Sequence, residues 1–307
     1  MSAPAAPGVA PRAGGRRGAR RDAEAVRPQG RTARLLTGHG WLVFAFLYLP
    51  ILVLVVLSFN DSRLVGVWGG GTLRWYRELG AEPAIFDALR NSLVVALVST
   101  VIATALGTAA ALSIERFRWR GRRTFDGLLF LPVIVPDVTM AVMLLLLFVQ
   151  VFDLAGAVLG LRGTFGLGTI TLSHVAFNVA FVAVVVRARL ARLDPRLEEA
   201  AADLYAGPWR TFRHVTLPLI APGVAGGALL ALTLSLDDVV VTSFVAGPGS
   251  TTLPVYVFGL IRRGVTPLIN AVSVLMLAGS MLLVVVSLAL QGRRGGGAAR
   301  ATAPGST

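Results

Sequence analysis

The stretch Glu199–Pro218 reads EAAADLYAGPWRTFRHVTLP and lies within 187–218, the longest polar interval between two apolar runs after the first hundred residues. It carries charges of both signs among helix-forming Ala and Leu residues, and Gly207-Pro208 interrupts it. Charged side chains are costly inside a bilayer, and a Gly-Pro pair is a typical turn signal. The pattern therefore predicts a short helical hairpin on a membrane surface, bent near Gly207-Pro208.

The sequence on both sides of this hairpin is strongly apolar. Of the 307 residues, 55% are hydrophobic, and the mean hydropathy is +0.72. Several apolar runs reach the roughly 18–20 residues that a helix needs to cross a bilayer. We therefore expect an all-α polytopic membrane protein with a membrane domain over residues 39–292. Its six transmembrane helices are predicted at 41–59, 91–114, 127–152, 169–186, 219–244 and 268–290.

The distribution of Arg predicts the orientation of these helices. The chain carries a net charge of +13 and has no Lys, and 22 of its 29 Arg fall on the side that holds the hairpin and both termini. The positive-inside rule places that side in the cytoplasm, so we do not interpret the charge as a nucleic-acid surface. We expect residues 1–38 to be a disordered basic tail and residues 293–307 to be a cytoplasmic C-terminal tail.

The residue types exclude several kinds of chemistry. There is no Cys, and the three His residues, at positions 39, 174 and 214, are scattered, so we expect no metal site. No catalytic constellation is recognisable, and the sequence lacks the Gly-rich loop with Lys that binds nucleotide phosphates. We therefore expect neither an enzyme nor a bound cofactor. If ATP drives this protein, another chain binds the ATP.

Three carboxylates in apolar segments are candidates for function. Asp237 and Asp238 fall in the fifth predicted span, and Asp137 falls about ten residues into the third, near mid-membrane. Such residues usually face a bundle interior or a wet cavity. Because successive residues diverge by about 100° on a helix, one of the adjacent pair is expected to face a path and the other a neighbouring helix.

Simpler explanations exist for the same residues. The adjacent pair could end its span at the water interface, and Asp137 could solvate a kink beside Pro136. His174 and Asn178 in the fourth span are weaker candidates, since a lone polar residue in a membrane helix more often bonds to a neighbouring helix.

The spacing within the quoted stretch resembles the EAA loop of ABC-importer permeases. Glu-Ala-Ala at 199–201 is followed by three residues and Tyr205, and nine residues later an aliphatic residue precedes Thr-Leu-Pro at 216–218. The family usually has Gly where this chain has Tyr205. Gly207 is expected to supply that conformational freedom instead. The resemblance implies contact with an ATPase through Glu198, Glu199, Ala200, Ala201, Tyr205, Gly207, Leu217 and Pro218.

A second block, LSLDDVVVTSFVAGPG at 234–249, resembles the spermidine/putrescine branch of these permeases, the second permease of the pair. The resemblance implies a type I importer permease fold in a bacterial inner membrane. It also implies a heterodimer with another permease, two ATP-binding subunits and an extracytoplasmic solute-binding protein. The implied substrate-path residues are Ser235, Asp237, Asp238 and, more weakly, Trp68, to which the position of Asp137 adds a further candidate.

Two alternatives stay open at this point. The first keeps the importer but changes the cargo to iron, thiamine, molybdate or sulfate, although carboxylates in the membrane argue against the oxyanions. The second is a self-contained ion-coupled transporter, in which Asp137 and Asp237 bind the coupling ion.

Overall fold

The computed structural model describes residues 30–62, 64, 67–264 and 267–300. These residues form helices and no strand, with one isolated bridge between Asn60 and Gly71. The helices are α1 (Gly30–Leu57), α2 (Arg74–Ala81), α3 (Pro83–Arg116), α4 (Arg122–Ile134), α5 (Asp137–Leu159), α6 (Leu167–Leu190), α7 (Arg196–Asp203), α8 (Pro208–Thr211), α9 (Leu217–Asp237), α10 (Val240–Val245), α11 (Leu253–Arg263) and α12 (Pro267–Arg300).

The chain divides into two compact units, residues 1–54 and 55–307. Most of α1 makes up the described part of the first unit, and Pro50 lies inside this helix. Because α1 begins at Gly30, the last nine residues of the tail expected to be disordered are helical. Residues 1–29 and 301–307 lie outside the described residues, so the expectation for most of the first tail and for the last seven residues of the second is untouched.

Three helices, α3, α6 and α9, pack mainly against one another and form the core of the second unit. A row of small residues on α3 permits the close approach. At Gly107, a Cβ would lie 2.8 Å from the carbonyl oxygen of Val179 and 2.8 Å from the Cβ of Val182. Small residues that suit close packing of helices are all buried along this row: Ala96, Ser99, Ala103, Gly107 and Ala111.

Five helical segments of the described chain are long and apolar enough to cross a membrane: Ala33–Leu57, Pro83–Arg116, Asp137–Leu159, Leu167–Leu190 and Pro208–Asp237. The sixth predicted span falls in α12. Its described apolar part, Pro267–Leu282, is shorter than a span. The count of six and the location of the termini therefore stay predictions.

The third predicted span, 127–152, is broken early at Pro136, as its prolines lead one to expect. Helix α4 ends at Ile134 and α5 begins at Asp137, with Val135 in an extended conformation. Pro136 explains the break, since it lacks an N–H donor and disfavours a helical residue before it. The membrane-length helix starts ten residues later than predicted and continues to Leu159.

The loop after α1 is fixed by Asn60, which is fully buried. Its side-chain amide donates to the carbonyl of Val67 at 2.8 Å and accepts from the N–H of Gly69 at 2.8 Å. The indole N–H of Trp75 donates to the Asn60 carbonyl at 2.7 Å. Trp75 is consequently buried in the core, whereas Trp68 is exposed on the loop.

Candidate functional site

A cleft of about 310 Å³ opens where α4, α5 and α6 meet the junction of α9 and α10. It is at the lower end of the volumes typical of small-molecule sites, about 300–1,000 Å³. Its described lining contains three carboxylates and no Arg, so it favours cations. The described lining residues are Pro132, Asp137, Met140, Phe177, Phe181, Leu234, Asp237, Asp238, Val239, Val240 and Val241.

The fifth predicted span is interrupted between the two adjacent carboxylates. Helix α9 ends at Asp237, and the backbone of Asp238 is extended. The Asp238 carboxylate accepts the N–H of Val241 at 3.2 Å and the N–H of Thr242 at 2.7 Å. These are free donors in the first turn of α10, and a carboxylate is well suited to satisfy them. We predicted 219–244 as one helix because Asp237 and Asp238 are the only charged residues of this run.

A buried network holds Asp238 from the other side. His174 on α6 is 1% exposed. Its Nε2 lies 3.3 Å from an Asp238 carboxylate oxygen and 3.0 Å from the Thr242 hydroxyl. Its Nδ1 lies 2.5 Å from the Ser235 hydroxyl, which lies 3.1 Å from that of Ser99 on α3. The network joins α3, α6, α9 and α10 at one level of the core.

Asp237 lies in a different environment from its neighbour. It is exposed, and it forms no ion pair with any cation in the part of the chain that the structure describes. It lines the cleft together with Asp137, which is also exposed. One of the two adjacent carboxylates bonds to a neighbouring helix, as expected, but the end of α9 at Asp237 separates the two, and not helical geometry.

The structure places the other predicted path residues differently. Asp137 is the first residue of α5 and not a mid-helix residue, because the helix breaks at Pro136. Ser235 is buried in the His174 network, and Trp68 is not among the described residues that line the cleft. Asn178 is fully buried, and neither atom of its amide bonds to a described residue, so the predicted interhelical contact is correct for His174 and wrong for Asn178.

Several contributors to the site were not found from the sequence. Phe177 and Phe181 occupy the same cleft wall as the carboxylates, and the Phe177 ring packs 5.3 Å from the His174 ring. Apolar residues in an apolar span carry no distinguishing sequence signal. Ser99 and Thr242 join the network from other segments, and only the packing of α3 against α9 and of α10 against α6 reveals them.

The hairpin predicted from the polar interval is confirmed. Helix α7 runs from Arg196 to Asp203, and α8 begins at Pro208. A turn of π-helix, Phe212–Thr216, then leads into α9, whose first turn contains the Leu217-Pro218 end of the motif. The hairpin is thus continuous with the helix that ends at Asp237.

The two glutamates of the hairpin have different surroundings. Glu198 accepts a hydrogen bond from the Thr216 hydroxyl at 2.8 Å and forms an ion pair with Arg116 at 3.0 Å. Glu199 is exposed, as is Ala200, whereas Ala201 is half-buried. Glu198 therefore connects the hairpin to the end of α3 and to the start of α9. Glu199 is available for an external contact.

The turn of the hairpin requires a left-handed residue, and Tyr205 supplies it with φ +59°. Gly207 has φ −66° and does not supply it, so the expectation for Gly207 is wrong. The side chain of Tyr205 is 96% exposed, beside Leu204 at 82% and Trp209 at 69%. The hairpin tip therefore presents an apolar surface that the described residues leave uncovered.

Tyr205→Gly is expected to preserve the turn, because Gly adopts positive φ without the steric cost that a side chain incurs. Tyr205→Val is expected to destabilise the turn by about 1–3 kcal/mol, since a β-branched residue is strained there. Limited proteolysis of the hairpin measures the difference. Equal cleavage rates in the two variants would show that the left-handed conformation is not required.

Arg187 anchors the base of the hairpin. Its guanidinium lies 2.9 Å from the Glu115 carboxylate and 2.5 Å from that of Asp126. These contacts join the end of α6 to the end of α3 and the start of α4. The connection between α3 and α4 therefore lies on the same side of the molecule as the hairpin.

A second cavity, of about 390 Å³, is less suited to a charged ligand. It lies between α2, α3, α11 and α12, and Ser92 and Ser280 are its polar lining residues among otherwise apolar ones. It offers no carboxylate, so the carboxylate-lined cleft is the better candidate for a cation.

The described chain contains five helical segments long and apolar enough to cross a membrane and a hairpin with an exposed apolar tip, which indicates an integral membrane protein. Residues 103–293 match the family of inner membrane components of binding-protein-dependent transport systems. The chain belongs to this family, which is a family of transport proteins and not of enzymes. The match supports the predicted location in a bacterial inner membrane and argues against the self-contained ion-coupled transporter.

Curated relatives carry names from the same kind of system. The chain is 48% identical to the putrescine transport system permease protein PotI of Escherichia coli K12, over 82% of this chain and 87% of PotI. It is 39% identical to the spermidine/putrescine permease protein PotC of the same strain, over 83% and 93%. It is 30% identical to the putative 2-aminoethylphosphonate permease protein PhnV of Salmonella typhimurium LT2, over 83% and 93%.

Solved structures confirm the predicted importer-permease fold. A bacterial ABC transporter involved in alginate import superimposes with a TM-score of 0.71 at 19% identity, covering 85% of this chain and 94% of that chain. The MetNI methionine transporter gives a TM-score of 0.55 at 17% identity, covering 69% and 94%. At these identities the likeness concerns the fold alone, and the cargo has to be argued from the site.

Proposed function

We propose that the chain is the permease subunit of an ATP-driven importer for polyamines such as putrescine and spermidine. The observation that carries this proposal is that the exposed carboxylates of Asp137 and Asp237 line one cleft. Neither carboxylate forms an ion pair with a basic side chain among the described residues. The names of the 48% and 39% identical relatives support the same cargo class.

The chemistry of the cleft suits a flexible polycation. Ammonium groups pair with carboxylates, and cations are also attracted to aromatic faces such as those of Phe177 and Phe181. The methylene groups between the ammonium groups pack against the apolar remainder of the wall. Sulfate and molybdate would meet uncompensated negative charge, which makes them poor cargoes for this site.

Transport through this chain requires further subunits. A second permease completes the path, and two ATP-binding chains drive it, since this sequence has no phosphate-binding loop of its own. A solute-binding protein delivers the cargo from outside. We place the ATPase contact at the hairpin tip, where Glu199, Tyr205 and Trp209 are exposed.

The hairpin and the cleft are mechanically linked in this proposal. Movement of the hairpin by the ATPases is transmitted along α9, because the π-turn leads directly into this helix and Asp237 is its last residue. Closure of the ATPases brings the two coupling hairpins together and opens the path outward, and hydrolysis returns it inward. Such coupling requires that the ATPase states stabilise the two membrane conformations differently.

The contacts of Glu198 predict how the link can be weakened. Glu198→Ala removes the ion pair with Arg116 and the hydrogen bond from Thr216. Uptake per ATP hydrolysed is expected to fall severalfold, because the hairpin moves without carrying the membrane helices with it. An Arg116→Ala variant and the double variant complete a cycle. Strictly additive losses would show that the pair does not act as a unit.

The function itself is tested by reconstitution. The chain is co-expressed with its partner permease, ATPase and solute-binding protein, and ATP-dependent uptake of labelled putrescine and spermidine is measured in vesicles. Uptake that requires every component supports the proposal. ATP-driven uptake of 2-aminoethylphosphonate, iron, thiamine or an oxyanion, without polyamine uptake, would refute the cargo and keep the importer.

A further inference from the structure

The connection between α3 and α4 and the first two residues of α4 form a basic segment, Phe117–Arg123, with the sequence FRWRGRR. This segment is called the basic loop below. It contains four Arg residues within six positions, at 118, 120, 122 and 123. None of the four forms an ion pair with a carboxylate in the described residues. The two acidic residues nearest in sequence, Glu115 and Asp126, are both bound by Arg187.

The loop also exposes two aromatic side chains. Phe117 is 63% exposed, and Trp119 is 41% exposed. The Trp119 ring packs 5.6 Å from the Phe125 ring, and a Cβ at Gly121 would lie 3.3 Å from it, so the ring has a defined position. Exposed aromatic rings beside cations, at the end of a membrane-length helix, are typical of the headgroup region of a bilayer.

We propose that the basic loop binds the headgroups of anionic phospholipids in the leaflet next to the hairpin. The contacts of Arg187 and Arg116 place this loop on the side of the hairpin. On the proposed function that side faces the cytoplasm, where the leaflet surface is negatively charged. Arg recognises phosphate oxygens in pairs, and the two rings fill the apolar boundary below the headgroup.

Helix stability does not account for the charges. Arg122 and Arg123 open α4 at the positive end of its dipole, where cations are disfavoured. The loop continues an apolar membrane helix, so the nearest external anions are lipid phosphates. A phospholipid headgroup supplies the negative charge that the described part of the protein does not.

The test uses the purified transporter complex and water-soluble dioctanoyl phosphatidylglycerol, with dioctanoyl phosphatidylcholine as the neutral comparison. Native mass spectrometry counts the lipids bound per complex over a concentration series. The loop variant is R118Q/R120Q/R122Q/R123Q. Each basic residue at an anionic surface changes affinity by about fivefold, so the variant is expected to bind phosphatidylglycerol at least tenfold more weakly.

The control variant, R77Q/R90Q/R162Q/R262Q, removes four charges from exposed Arg residues predicted to lie on the opposite side. It is expected to bind the lipid as the wild type does. Unchanged lipid binding in the loop variant would overturn the proposal, and so would equal losses in both variants. Loss of the ATPase from the loop variant, with normal lipid binding, would identify the loop as a protein contact instead. None of these outcomes depends on which cargo is transported.

Discussion

Asp237→Asn is expected to lower ATP-dependent polyamine uptake by about tenfold to hundredfold. A charge-assisted contact contributes about 1.5–3 kcal/mol, and tenfold corresponds to about 1.4 kcal/mol. Asp237 is the adjacent carboxylate that the protein leaves without a partner in the described residues, so its charge is available to the cargo. The loss is measured as the initial rate of labelled putrescine uptake in vesicles containing the complete transporter.

A matched control is Asp153→Asn, which removes an exposed carboxylate from the same protein outside the described lining of the cleft. It is expected to transport within twofold of the wild type. The amounts of assembled complex have to be equal in all three preparations. Uptake by the Asp237 variant that matches the control would remove this carboxylate from the substrate path.

His174→Ala is expected to be the most destabilising single substitution in the site. It removes the imidazole that contacts the largely buried Asp238 carboxylate, together with its contacts to Ser235 and Thr242. Leaving a buried polar group without a hydrogen-bond partner costs about 1–3 kcal/mol, and more when the group is charged. The apparent melting temperature of the solubilised complex is expected to fall by roughly 10 °C.

Asn178→Leu provides the control for that substitution. Asn178 lies one turn along the same helix and is equally buried, but its amide has no hydrogen-bond partner in the described residues. Replacing an unsatisfied polar group by an apolar one of similar volume is nearly neutral or stabilising. A fall in melting temperature as large as that of His174→Ala would show that any substitution of a buried residue in this helix destabilises the complex, and that the hydrogen bonds of His174 do not explain its effect.

The two substitutions separate positioning from cargo binding. His174 lies within hydrogen-bond distance of Asp238 and forms no described hydrogen bond with Asp137 or Asp237. Loss of its side chain therefore acts through the junction of α9 and α10. Asp237→Asn is expected to change uptake without changing the melting temperature, because Asp237 is exposed and unpaired in the described structure. If Asp237→Asn destabilised the complex as much as His174→Ala, the carboxylate would be a structural element and not a cargo ligand.

The helical membrane class, the hairpin and the candidate carboxylates were all predictable from the amino-acid sequence. An apolar run long enough to span the bilayer has to form a helix there, because its backbone groups must be hydrogen-bonded internally. The interval 187–218 is expected outside the bilayer because its charged side chains are costly in lipid. The sequence also showed Tyr205 where the permease family usually has Gly, and Tyr205 is the residue that adopts the left-handed conformation in the turn. These conclusions depend on local composition and spacing, which a single chain displays directly.

The contacts and position of each carboxylate, in contrast, follow from the packing of the helices. The break after Asp237 and the cap formed by Asp238 depend on His174 and Ser99, which reach the junction from other helices. The break at Pro136 is local and makes Asp137 the first residue of α5. Only the packing of α5 near the junction of α9 and α10 brings Asp137 into the same cleft as Asp237. Hydrogen bonds and ion pairs between residues more than 60 positions apart have no local signature, because they exist only once the helices have packed.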